Sequence, residues 1–435
     1  MKNNNEEYYT RSVTELADIV PVTTCQAVFS TTGIKLVNKG VRLNSSFFER
    51  LGRHKIMPPL EQCLVVEKGV SNSELVTIAN QLLETDPPLV RMARLLPNPE
   101  VLFEILQLVE LSEPIIFLLT LARERRPRFL THSVTVALIS MYLGIRVCLA
   151  RDKLIELATA GLFHDISELR IDARLFEEDA QPTQEESEQI NTHPATSQRM
   201  LLNSSIYPIE VVNAVMRHHE AVDGSGYPFG LLGVEMGHAA KILSIAEVAG
   251  TKLEQEAMDG VPRLEVALKL NMQKFDANLL GMLSVLYEHN AVGVEEDTIV
   301  STPHVSVPQI HTQIDHILMV LVFWKRLLGD IPIRPRSASA YINQRLNSLA
   351  QSSREAGINL EDKMGVTAAI ESDKKCLAEL NQINLETLRQ MNEVVHEVQR
   401  RWPAYQADMT PIGKVVSGWM EHVQGLLLKQ KYKKL

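Results

Sequence analysis

Histidines fall at positions 132, 164, 193, 218 and 219 in segments otherwise rich in Leu, Ile, Val and Ala. One imidazole on an apolar helix face is ordinarily a core residue. Five of them, with Asp165 beside His164, are too costly to bury without a shared partner. A metal ion supplies that partner, and imidazole plus carboxylate without thiolate suits iron or manganese as well as zinc. The chain must therefore fold so that several helical segments converge on one point.

The apolar periodicity agrees. From Ser73 onward, Leu75, Ile78, Leu82 and Leu83 share one helical face, and similar patterns continue through Leu130. One further helix holds His132, and another runs from Lys153 to the His164–Asp165 pair. A third opens at Thr183, with Glu186 completing a capping box, and contains His193. A fourth follows Pro208 and ends at His218–His219. The acidic stretch Glu177–Glu188 reads as a solvated loop and helix start.

The first 68 residues look mixed. Strand candidates Ala27–Phe29, Ile34–Val37, Val41–Leu43 and Leu60–Val66 are punctuated by Thr-Thr-Gly and Asn-Lys-Gly turns, and Ser46 with Glu49 suggests a capped short helix through Leu51. The pattern breaks after Val294 and again at Ile331-Pro-Ile-Arg-Pro-Arg, on either side of a helix over Ile310–Leu328. Beyond it, Leu388, Met391, Val395, Val398 and Trp402 form an apolar seam suited to a helix partner, either within the chain or in a protein partner or dimer. The expected fold is mainly α: a small N-terminal α+β module with connecting helices over 1–115, a helical metal-binding domain over 116–295, and a helical C-terminal domain over 309–435.

Composition narrows the function. A net charge of −9 over 435 residues argues against a general nucleic-acid binder, and the basic tail Lys429, Lys431, Lys433, Lys434 reads as a solvated terminus. The first residues show no secretory apolar run, and the stretch Ile317–Trp324 is too short to span a bilayer. Cys25, Cys63, Cys148 and Cys376 are scattered without a CxxC pair, which suits reduced thiols and a cytoplasmic setting.

An Asp adjacent to a His can bridge two ions, and two ions a few ångströms apart can activate water and clamp a phosphoryl group. The turn Asp223-Gly-Ser-Gly-Tyr-Pro228, directly after His218-His219-Glu220, then reads as a close backbone approach to an anionic ligand. With these residues in view, the stretch from about 128 to 290 resembles the HD-GYP family of bacterial metal-dependent phosphohydrolases. The resemblance implies an all-helical HD domain that hydrolyses cyclic di-GMP at a centre of two or three ions, often iron or manganese. It implies His132, His164, Asp165, His193, His218 and His219 as ligands. Glu247, in Ile242-Leu-Ser-Ile-Ala-Glu-Val, stands where the family has Asp. Asp165 and His193 would act in catalysis, and Asp223, Gly224, Gly226 and Tyr227 would shape the substrate pocket. Phe275-Asp276 matches the family's closing Phe-Asp-Pro except for Ala277.

The departures concern charge. Glu168 replaces a phosphate-facing lysine in the catalytic motif, with a salt bridge to Arg170 or Arg174 as the benign arrangement. Arg128 replaces a third-ion glutamate, which favours two divalent ions over three. The family's Arg-Pro-Tyr is missing after Gly250, leaving Lys241 or Lys252 as substitute cations. A change of one unit charge at about 5 Å and an effective dielectric near 20 is worth roughly 3 kcal/mol. The expected function is a cyclic dinucleotide phosphodiesterase of modest activity. The alternative is a degenerate domain that binds metal and nucleotide to signal through protein contacts.

Overall fold

A computed structural model describes residues 4–177, 180, 182–259, 263–287, 305–329, 331–334, 337–355, 362–368, 373–402 and 410–431. The predicted break after Val294, Pro335 and Arg336 of the second break, and Lys433 and Lys434 of the tail lie outside these residues.

The helices are α1 (Asn4–Ile19), α2 (Phe48–Leu51), α3 (Asn72–Thr85), α4 (Pro87–Arg94), α5 (Glu100–Gln107), α6 (Glu113–Arg125), α7 (Pro127–Arg146), α8 (Arg151–Phe163), α9 (Gln184–Asn191) and α10 (His193–Ser204). There follow α11 (Ile209–Met216), α12 (His238–Asp259), α13 (Leu264–Leu270), α14 (Ala277–Met282), α15 (Val307–Leu328), α16 (Ala338–Glu355), α17 (Lys363–Ala368), α18 (Lys374–Arg401) and α19 (Pro411–Lys431). The strands are β1 (Val22–Thr24), β2 (Val28–Phe29), β3 (Lys35–Val37) and β4 (Leu64–Val66). The chain is mainly helical, as its periodicity predicts.

Two compact units emerge where the sequence suggested three domains: residues 1–254 with 273–294, and 255–272 with 295–435. The N-terminal module does not stand apart, because its elements pack directly on the following helices. Helix α1, which the sequence reading missed, lies against α6 and the short turn Ile166–Arg170. Tyr9 on α1 donates its hydroxyl to Glu61 at 3.0 Å, while Arg170 sits over the Tyr9 ring at 5.2 Å and faces Glu61 at 3.7 Å. Strand β1 pairs antiparallel with β4, Thr24 opposite Leu64, and β2 pairs with β3. The strand expected over Leu60–Val66 is cut to its second half, with Leu60–Cys63 forming a tight turn, and the short helical turn at 45–47 is capped by Asn44 and not Ser46.

Helix α7 is the axis of the first unit. Residues 133–144 are all buried, so its apolar character continues around the whole circumference. By length and composition this helix could cross a membrane, but its apolar window is 78% buried inside the unit, the signature of a core helix. Helix α8 runs antiparallel along it, and Gly161 allows the approach: a Cβ there would lie 2.6 Å from the Ala137 Cα. The contact is backbone against backbone, so neither side can yield by a rotamer change.

The second unit is a helical bundle in which α18 packs against α13, α15, α16 and α19. Leu388, Met391, Val395 and Val398 are buried in its core, and Trp402 packs partly buried against them. The seam is thus closed within the chain. The indoles of Trp324 and Trp419 meet edge to face at 5.8 Å. Each indole N–H has an acceptor, Asn343 for Trp324 and the Val320 carbonyl for Trp419.

Replacing Gly161 by Ala should force α8 away from α7 at a cost of about 1–3 kcal/mol. Urea unfolding would register this as a lower midpoint, and an unchanged midpoint would contradict so close a helix contact.

Candidate metal centre

The ligand histidines are placed by a backbone rule. The last four carbonyls of a helix have no intrahelical donor. His164, just past α8, faces Gly161 O through Nδ1 at 2.8 Å, and His218, just past α11, faces Val215 O at 2.6 Å. His193 does the same with Ile190 O of α9 at 2.7 Å. A carbonyl can only accept, so Nδ1 is the donor in all three rings and Nε2 is turned towards the interior. His193 opens α10 where the sequence suggested a mid-helix position. The Thr183–Glu186 capping box starts a separate short helix, α9, that ends at the kink.

These Nε2 atoms converge on Asp165. Its Oδ1 lies 3.1 Å from His193 Nε2 and 3.2 Å from His218 Nε2, and its Oδ2 lies 3.2 Å from His164 Nε2. His219 Nε2 lies 3.2 Å from His193 Nε2. On the other side, Glu247 Oε2 faces His164 Nε2 at 2.9 Å and His132 Nε2 at 3.0 Å. The donors thus fall into two groups sharing one residue: Asp165, His193, His218 and His219, and His132, His164, Asp165 and Glu247. Within each group all donor atoms lie within 4.8 Å of one another. Despite these short approaches, the buried His132 Nδ1, His164 Nε2 and Asp165 Oδ1 make no hydrogen bond of good geometry. Donor atoms so placed fit divalent cations, which the two groups would hold between them with Asp165 available to both.

Electrostatics reinforce the fit. Burial by itself would lower the pKa of His164, but the carboxylates of Asp165 and Glu247 outweigh it and hold the ring well above the ordinary imidazole value. Burial also opposes a proton on His132, yet Glu247 raises it to about 10. Asp165 and Glu247 are in turn held well below the usual carboxylate range, burial being overcome by the facing imidazoles. His218 and His219 are pushed down, mainly by burial. At neutral pH the carboxylates therefore draw protons into positions that a cation would take.

The remaining predicted residues divide. Tyr227 stacks on His219 with ring centroids 4.7 Å apart and planes at 17°, extending the centre into an aromatic wall. Gly226 passes so close to the Glu220 backbone that a Cβ would fall 2.4 Å from its Cα, and Gly224 has φ +76°. Asp223 Oδ1 accepts from Ser225 N–H at 2.9 Å, shaping the turn. Lys241 is directed to Asp276 at 3.6 Å, and Lys252 is buried. Arg128 is exposed.

Glu168 makes neither expected salt bridge, because Arg170 faces Glu61 and Arg174 pairs with Asp172. Burial and the charge of Asp165 push its carboxyl up to about 7. Arg126 does come near, but it donates to the Glu168 backbone carbonyl at 2.8 Å.

Sequence reasoning missed two supports. Glu220 is buried, and its carboxylate accepts from the backbone N–H groups of Phe229 and Leu231 at 2.6 and 2.8 Å, clamping the glycine-rich loop. Ser167 donates to His193 O at 2.9 Å and accepts from the Ser197 hydroxyl at 2.9 Å, tying the turn after Asp165 to α10. In the sequence Glu220 reads only as the neighbour of His218 and His219. The serine pair left no signal in the sequence.

Residues 117–268 match the family model described as an HD domain. Over this stretch the chain is similar to HD domains. Among curated proteins, it is similar to the cyclic di-GMP phosphodiesterase PA4108 of Pseudomonas aeruginosa, 31% identical over 27% of this chain and 28% of the relative. The cyclic di-GMP phosphodiesterase PdeB of Borreliella burgdorferi is 27% identical over 35% of this chain and 41% of its own length. A 3'3'-cGAMP-specific phosphodiesterase of Vibrio cholerae, number 3, is 26% identical over 27% of this chain and 25% of the relative. The chain therefore spans between about a quarter and two fifths of the length of these relatives.

The HD domain should take up two manganese ions per chain and release protons as it does so. His132, raised to about 10, and His164 both carry protons at neutral pH that a cation displaces, so affinity rises as pH increases from 6 to 9. Calorimetry in buffers of different ionisation enthalpy would reveal the released protons. Asp165→Asn should weaken both ions, and uptake independent of pH would contradict the protonation pattern.

Proposed function

We propose that this HD domain is a two-cation phosphohydrolase of HD-GYP type that cleaves a cyclic dinucleotide such as cyclic di-GMP, with iron or manganese as its ions. The observation that carries the reading is the pair of donor groups sharing Asp165. Such sharing would let the two groups hold neighbouring cations, an arrangement suited to phosphodiester displacement. When bound, the ions supply Lewis acidity at the phosphoryl group and an activated water near neutral pH.

The chain's own residues do the rest. His193, His218 and His219 hold one side of the centre, and His132, His164 and Glu247 hold the other. The Tyr227–His219 stack offers a flat face for a base, and the Asp223–Tyr227 turn brings backbone close to the ligand's phosphates. Burial and the charge of Asp165 push the Glu168 carboxyl up to about 7, so it is only partly ionised near neutral pH in the metal-free centre. The four cysteines form no disulfide, which supports a reducing, cytoplasmic setting. A dimer through the C-terminal helices would need surfaces other than the α18 seam, which is spent within its own bundle.

A second reading is favoured by the charge balance: a domain that binds metal and nucleotide without turnover. Glu168 stands where a cation would face the phosphate, and Lys241 is engaged by Asp276. Turnover assays on manganese- or iron-loaded protein with cyclic di-GMP and 3'3'-cGAMP decide between them. Hydrolysis abolished by Asp165→Ala supports the enzyme. Glu168→Lys should raise kcat/KM at least about tenfold, corresponding to about 1.4 kcal/mol of barrier. Tight nucleotide binding with no linear product in either protein would establish the receptor.

A further inference from the structure

Three of the ligand rings gain their orientation from a backbone carbonyl just before them, but His132 cannot. It lies inside α7, where the carbonyls one turn back are already engaged by the helix's own N–H groups. Its Nδ1 instead faces Glu254 Oε2 at 3.5 Å, an ion-pair approach without hydrogen-bond geometry. Glu247 likewise has a side-chain partner: Thr251 donates its hydroxyl to Glu247 Oε1 at 2.8 Å. Oε2 is left to face His132 and His164.

Both partners lie on α12, four and seven residues after Glu247, and therefore on the same helix face. Gly250 lies among them, where a Cβ would come within 2.8 Å of Val136 Cγ2 and 3.5 Å of His132 Cε1. This small residue lets α12 approach α7 closely enough for Glu254 to reach His132.

We propose that Thr251 and Glu254 are positioning residues for the His132–Glu247 side of the metal centre. Thr251 fixes which oxygen of the flexible glutamate is presented, and Glu254 fixes the ring orientation of His132. Glutamate at 247 has one more rotatable bond than aspartate, so an unrestrained carboxylate would spread over several rotamers. The charge-assisted hydrogen bond from Thr251 selects one. Glu254 places a carboxylate charge behind a metal-facing imidazole, close enough to favour a proton on Nδ1 and so leave Nε2 to the cation. The inference rests on the centre binding two cations, but on no assumption about turnover.

The test is manganese binding by the full chain, followed by calorimetry and by electron paramagnetic resonance of the bound ions. Thr251→Val should weaken one of the two ions by about 10–100-fold and leave the other unchanged, and Thr251→Ser should restore wild-type affinity and spectrum. Glu254→Gln should also weaken that one ion, and it keeps the test available should Thr251→Val fold poorly. Wild-type protein with two ions, alongside Thr251→Val and Glu254→Gln variants that bind both identically, would overturn the positioning role alone. Wild-type protein with no bound manganese would overturn the metal-centre reading and this inference with it.

Discussion

The structure depends on the hydrogen bond between a histidine Nδ1 and a helix-terminal carbonyl, used three times. Each bond gives a carbonyl at a helix end a side-chain donor, and each turns Nε2 inward. Helix C-termini also carry partial negative charge, so α8 and α11 direct a field favourable to cations at the place where their histidines meet. Local chain economy and site chemistry thus impose the same geometry. The cost of burying these imidazoles is met by Asp165 and Glu247, which are themselves tolerated because the rings surround them.

That polar knot sits in a close-packed environment. Helix α7 is buried along most of its length, and α8 touches it backbone to backbone at Gly161. The residue whose missing Cβ permits this contact also supplies the carbonyl that orients His164. Packing of the core and aiming of a ligand therefore share one residue. The N-terminal elements belong to the same system: α1 lies on the Ile166–Arg170 turn, and the Tyr9–Glu61–Arg170 cluster joins it to the segment directly after Asp165.

The cluster of candidate ligands was legible because it is chemically expensive: five histidines and an adjacent carboxylate among aliphatic residues demand an explanation at any level of description. Other features were not legible, and the reasons differ. Helix α1 escaped notice because its first half is polar and its apolar positions, Tyr9, Val13 and Leu16, are few. The salt bridge expected for Glu168 did not form because Arg170 and Arg174 found carboxylates elsewhere, at Glu61 and Asp172. Competition among partners distant in sequence has no trace in local pattern.

The sequence by itself determined the helical class, the residue types that cluster at the candidate metal centre and the tight glycine-rich turn after His219. Each follows from periodicity, ligand chemistry or backbone freedom over a few residues. Only the tertiary structure decided that Asp165 stands between two donor groups, that Thr251 and Glu254 support one of them, and that the α18 seam is closed inside its own bundle. Those outcomes depend on which surfaces meet when helices pack, and contacts between residues far apart in the chain are fixed by the folded core as a whole.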